Sequence, residues 1–208
     1  VMFCTQKKKI LALSMGTTYT EVAPFFAVAF VATFLGNYAV NKIGQRHYDV
    51  DGQTYIFDFG HTALPRWRVR EYEIILLEAL PLLSIFVKGV GPVITAVPDF
   101  LYVFGWVLML RVLTSVSTIL PRDDECDADT FGLKQMIGGF CYDKLFSGHT
   151  AFSVVVAMVL IKHGIWSANV AWVYPVWMGL YLLLTRGHYT SDVLLGGIIA
   201  FLMSHMLL

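Results

Sequence analysis

Six apolar runs constrain this chain before any other feature does. They lie at about 22–40, 72–88, 99–120, 150–163, 167–185 and 191–208. A bilayer core about 30 Å thick is crossed by ~20 residues of helix. The chain is 57% hydrophobic and only 14% charged, too little charge to dress a soluble surface around so many runs. Almost no amphipathic helix separates them, so a soluble helical core is a poor fit. The sequence therefore predicts an all-α, polytopic integral membrane protein with six transmembrane helices. The run at 150–163 is short and begins inside a polar motif. The run at 72–88 carries Glu73, Glu78 and Pro81 and is the least regular as a span.

With six spans, the loops 41–71, 121–149 and 186–190 share one side of the membrane, and most polar residues gather there. The turns at 89–98 and 164–166 face the other side with the N-terminus. Nine Lys and Arg residues fall on the loop-rich side and five on the other, where Lys7, Lys8 and Lys9 form the one dense cluster without acids. Taken alone, the count puts the loop-rich side in the cytosol. Formal net charge is zero, which implies no general attraction to nucleic acid. The first 20 residues carry no signal-peptide cleavage pattern. None of Cys4, Cys126 and Cys141 forms a CxxC pair of the zinc-binding kind. Cys126 and Cys141 flank one polar loop and could pair if it faces an oxidising compartment.

Two short stretches on the loop-rich side carry the chemistry, "SGHT" at 147–150 and "GHYTSD" at 187–192. His188 and Asp192 are four apart, which on a helix puts them on one face. A carboxylate so placed holds one ring nitrogen and leaves the other nucleophilic. A second histidine, His149, can give and take a proton near neutral pH. Ser147, Gly148 and Thr150 offer hydroxyls and N–H groups at a helix start, a cradle suited to phosphate. Arg111 lies mid-run, where an inward-facing partner is the default for a charge. Arg186 is a second cation for phosphate, and Tyr189 is an aromatic beside the motif that could meet a choline cation. Two simpler readings stand beside this one: interfacial histidines that cap helices, and a two-histidine, one-carboxylate metal site.

"CYDKLFSGHT" (141–150), "RGHYTSDV" (186–193) and "RVLTSVSTILP" (111–121) resemble the motifs of the sphingomyelin synthase family. They are also similar to those of plant-type phosphatidylcholine:diacylglycerol cholinephosphotransferases. Both groups sit within the type 2 phosphatidic acid phosphatase-like superfamily. "DFGHTALP" (58–65) lies where these families keep a short acidic-Pro motif. The resemblance covers roughly residues 55–205. The chain departs from the superfamily's soluble-headgroup phosphatases: Phe146 stands where they have Pro, and Leu182 where they have an Arg six residues before the last histidine. Their Lys-rich first motif is missing as well.

The resemblance implies a phospholipid headgroup transferase that moves phosphocholine or a similar group to ceramide or diacylglycerol through a phosphohistidine. His149, His188 and Asp192 would be catalytic. Arg111, Asp143, Ser147, Gly148, Arg186 and Tyr189 would bind substrate. No metal or cofactor is called for, and the partners are membrane lipids, not nucleic acid. Residues 1–21 would form an N-terminal cytosolic segment and 22–208 a six-helix membrane catalytic domain. The resemblance places the protein in the Golgi, endoplasmic reticulum or plasma membrane with its site lumenal or exoplasmic, against the charge count. A lipid phosphate phosphatase using the same three residues, and a non-catalytic lipid-binding or scrambling protein, are the alternatives.

Overall fold

A computed structural model describes residues 18–49, 56–67, 72–121, 141–142 and 144–208. Among these, every regular element is helical. Helix α1 spans Tyr19–Gly44 and runs on into a π-helical turn, Gln45–Asp49. A short helix α2, Phe59–Ala63, follows. Next come α3 (Tyr72–Ala79), a 3-10 turn (Leu80–Leu83) and α4 (Ser84–Lys88). The long α5 spans Val90–Ser117, then α6 Gly148–Lys162, α7 Ala168–Leu184 and α8 Thr190–Leu207.

Three of these stretches are long and apolar enough to cross a membrane: Tyr19–Tyr48, Val90–Ser117 and Thr190–Leu207. Among the described residues, helix length thus confirms three spans and not the expected six. The 72–88 run does not form one helix. Pro81 lacks an N–H and its ring crowds the preceding turn, so the run breaks into α3, the 3-10 turn and α4. The apolar helices α6 and α7 have 15 and 17 residues, or roughly 22–26 Å at 1.5 Å per residue. The expected turn at 89–98 is also mostly helix. The chain reverses at Gly89, whose φ of 81° suits glycine, and α5 starts at once. Pro92 is tolerated in its first turn, where the missing N–H would be unpaired anyway.

Large apolar side chains cover the outer faces: Phe86, Leu113, Val173, Val176 and Met206 are all more than half exposed. A surface of that kind fits a lipid environment. Inside, α5, α6, α7 and α8 pack around Val103, Val107, Phe146, Val155, Met178 and Leu182. Helix α1 lies along α5, with Thr33 Oγ1 donating across to Leu108 O at 3.3 Å. At one end, Asp99 of α5 takes Lys162 Nζ at 2.8 Å and His163 Nε2 at 2.9 Å, tying α5 to the end of α6. The other end gathers the starts of α6 and α8 beside Arg111. Gly196 makes that convergence possible, because a Cβ there would stand 2.5 Å from Ser147 O.

Candidate active site

Both histidine turns open a helix. Ser147 caps α6, its Oγ accepting from Thr150 N at 3.2 Å. Serine is among the best residues for that role. Its N–H donates to Asp192 O at 3.0 Å, so the start of α6 is bonded directly to the first turn of α8. The N–H of fully buried Ser147 thus ties the two helices, and its hydroxyl oxygen caps α6. His149 then projects from the first turn of α6 and His188 from just before α8. Their rings face each other with centroids 6.1 Å apart and planes at 68°.

Each ring is backed by a carboxylate. His188 Nδ1 lies 3.5 Å from Asp192 Oδ2 and 3.4 Å from Lys144 O. Both neighbours are acceptors, so Nδ1 carries the hydrogen and Nε2 keeps its lone pair. These contacts are long for hydrogen bonds, and catalytic bonds often tighten only around substrate. Asp192 is fully buried and is itself held by Tyr189 N at 3.1 Å and Ser191 Oγ at 3.3 Å. The second ring has the shorter bond: His149 Nδ1 donates to Glu78 Oε1 at 2.7 Å. That fixes the tautomer with Nε2 available for a proton. Glu78 was missed as a site residue. Its signal was an acid inside an apolar run, which in a membrane segment is a functional candidate by default.

Arg111 is buried in α5 and donates through Nε to Phe146 O at 3.2 Å, with its side chain passing over Gly148. Arg186 turns toward the segment after α2, Nη2 donating to Leu64 O at 3.0 Å. Its Nη1 is buried without a hydrogen-bond partner among the described residues. Tyr189 donates its hydroxyl to Pro121 O at 3.3 Å. Asp143 lies outside the described residues. Lys144, which sequence reasoning had counted only as a loop charge, is buried and donates Nζ to Gly187 O at 2.6 Å. Among the described residues, no group of three or more His, Cys, Asp and Glu side chains is arranged to hold a metal ion.

Both turns are entered through strained backbone. Phe146 has φ 72° and Arg186 φ 60°, a region that non-glycine residues rarely adopt. Such strain costs about 1–3 kcal/mol per residue and persists where surroundings enforce it. Here Phe146 is locked by burial and by Arg111 on its carbonyl. Arg186 is followed by Gly187, whose N–H donates to Leu182 O at 3.0 Å and whose carbonyl takes Lys144. Cys141 is disulfide-bonded; its expected partner, Cys126, is outside the described residues.

Fold and site together define a membrane-type helical protein with two facing histidines, each paired with a carboxylate, beside a buried arginine. Residues 140–207, about a third of the chain, match the family model described as PAP2 superfamily C-terminal. The match covers both histidine turns and supports the type 2 phosphatidic acid phosphatase-like superfamily, and with it a phosphatase- or phosphotransferase-like activity on lipids. No curated protein matches the chain.

Proposed function

We propose that the chain transfers a phosphoryl headgroup, phosphocholine or a similar group, from a phospholipid to ceramide or diacylglycerol. The observation that carries this reading is the facing of His149 and His188, each backed by a carboxylate. His188 Nε2 would attack phosphorus while the bond from phosphorus to the diacylglycerol oxygen breaks. His149, protonated at Nε2 and oriented through Nδ1 by Glu78, would give that oxygen its proton. The acceptor hydroxyl would then return a proton to His149, bond to phosphorus and release His188. Arg111 and Nη1 of Arg186 would hold the phosphate charge, commonly the largest catalytic contribution. Gly148 would let phosphate approach the start of α6, and Tyr189 would line the headgroup side. Asp143 is kept as a substrate-site residue on the resemblance alone.

Hydrolysis of a lipid phosphate with the same residues is the second reading, favoured by the superfamily matched at 140–207. Water would then take the place of the acceptor alcohol. The deciding experiment gives purified protein labelled phosphatidylcholine with ceramide or diacylglycerol, without added metal, and identifies every product. Label recovered in a new lipid supports transfer. Label released only as water-soluble phosphocholine overturns transfer in favour of hydrolysis.

The site is proposed to face the lumen or the cell exterior, in the endoplasmic reticulum, Golgi or plasma membrane. The disulfide at Cys141 supports an oxidising side. Impermeant thiol labelling of intact, right-side-out membranes after reduction tests it. Labelling that needs membrane rupture would place the site in the cytosol for a plasma-membrane protein.

A further inference from the structure

The turn that carries His188 is held only in part by its own helix. Residues 187–190 present four backbone groups to side chains. Gly187 O takes Lys144 Nζ at 2.6 Å, and His188 O takes His61 Nε2 at 2.9 Å. Tyr189 N–H donates to Asp192 Oδ2 at 3.1 Å, and Thr190 N–H to Asp58 Oδ2 at 2.7 Å. A carbonyl only accepts, so His61 Nε2 bears the hydrogen. Thr190 is the first residue of α8, where N–H groups have no partner within the helix. The position before it is Tyr189, whose side chain makes no cap bond. The cap for Thr190 comes instead from Asp58, distant in sequence.

Asp58 does this with both oxygens engaged. Oδ1 accepts from Thr190 Oγ1 at 2.8 Å and from His61 N at 2.9 Å, so one carboxylate caps α2 and α8 together. Gly60 N–H donates to Thr190 Oγ1 at 3.0 Å. That approach leaves no room for a side chain, since a Cβ on Gly60 would sit 2.4 Å from the hydroxyl. His61, fixed by this cap, lays its ring 5.4 Å from that of Tyr189 and reaches the carbonyl of His188 itself. Two further bonds fasten the same segment: Arg186 Nη2 to Leu64 O at 3.0 Å, and Trp67 N–H to Leu184 O at 2.8 Å.

We infer that Asp58 and His61 are positioning residues for His188, holding the strained 186–190 turn so that Nε2 keeps its line toward His149. The inference rests on His188 being the nucleophile. Neither residue touches substrate in this role. Each acts through the backbone of the turn, where a displacement of ~1 Å at a reacting group costs on the order of 100-fold in rate.

The test uses the full chain in lipid nanodiscs with His61→Leu, His61→Gln, Asp58→Asn and His188→Ala. Turnover is measured with labelled phosphatidylcholine and diacylglycerol or ceramide, beside thermal melting and hydrogen exchange of the 186–192 amides. His61→Leu and Asp58→Asn are expected to lower kcat on the order of 100-fold with KM within about 3-fold, the pattern of a lost transition-state alignment. Their 186–192 amides exchange faster than in wild type, a readout that needs no substrate. His61→Gln keeps a side-chain N–H near the place of Nε2 and restores most of kcat. The inference is overturned if exchange is unchanged, if exchange rises while kcat stays within about 2-fold of wild type, or if Gln and Leu at 61 lose rate equally in step with melting. Activity in His188→Ala would instead bring down the nucleophile reading beneath it.

Discussion

The two histidine turns are built alike and secured differently. Each starts a helix, each is entered through a positive-φ residue, and each sets a ring against a carboxylate. At α8 the carboxylate is local: Asp192 lies four residues on, with a long contact of 3.5 Å. At α6 it is remote: Glu78 arrives from α3 and makes a bond of 2.7 Å. The ring proposed to form the covalent bond has the looser carboxylate and the more firmly held backbone. The ring proposed to carry protons has the tighter carboxylate and a self-capped helix. A nucleophile must be aimed, which backbone contacts do. A proton carrier must have a fixed tautomer and a stabilised charge, which a close carboxylate does.

The largest effect should come from breaking the α8 side outright. His188→Ala is expected to remove activity by on the order of 10⁴-fold or more, since the covalent route has no substitute. Labelled headgroup should be trapped on wild type and not on the variant. Next is Arg111→Leu, since Arg111 braces the α6 turn on both sides of Ser147, through Phe146 and Gly148. It should insert in membranes as well as wild type, because it removes an intramembrane charge, and lose about 10²–10³-fold in kcat. Expression equal to wild type with normal turnover would make Arg111 purely structural.

Glu78→Gln sharpens the comparison further. The amide oxygen can still accept from His149 Nδ1, so orientation survives and only the charge is lost. A fall of about 10–100-fold is expected, smaller than that of Asp192→Asn, which also loosens the bond to Tyr189 N. Equal losses, measured side by side, would mean that the two carboxylates serve the same purpose.

The smallest effect is on acid stability. Burial alone would raise the Asp58 carboxyl, but the N–H of His61 and the hydroxyl and N–H of Thr190 hold it below its ordinary 3.8. Its charged form therefore stabilises the fold fully above about 3.8, and that contribution is lost as pH falls through the lowered folded value. Melting curves of wild type and Asp58→Asn should converge over that acid window and stay separated at neutral pH. A constant separation down to the lowest pH would show that the charge of Asp58 contributes nothing.

What the sequence disclosed follows the same division. The pairing of His188 with Asp192 was legible because they lie four apart at a helix start, although His188 itself precedes α8. The inward setting of Arg111 was legible because a charge amid apolar residues has few alternatives. Glu78 was not, although it sat in plain view in the 72–88 run. Nothing local says which of many distant groups a lone acid will meet. Pro81 signalled that the run was irregular, yet not that it would divide into separate pieces. Asp58 and His61 were visible as a short acidic-Pro stretch, but their use as a cap for α8 depends on chain reversals that no periodicity encodes. Ser147 and Tyr189 were singled out for substrate; the bonds of their hydroxyls to Thr150 N–H and to Pro121 O were not legible, because both depend on how the turns fold.

The brevity of α6 and α7 has a consequence for the membrane itself. Were they to cross a hydrocarbon layer about 30 Å thick, helices of roughly 22–26 Å would fall short of it, a mismatch that lipids meet by thinning. One of the two, α6, carries His149 at its start. A bilayer pinched around it would lower the plane of the phosphates toward the histidines, so that a lipid would reach the reacting atoms by following the dip of its own leaflet, without being lifted out of it.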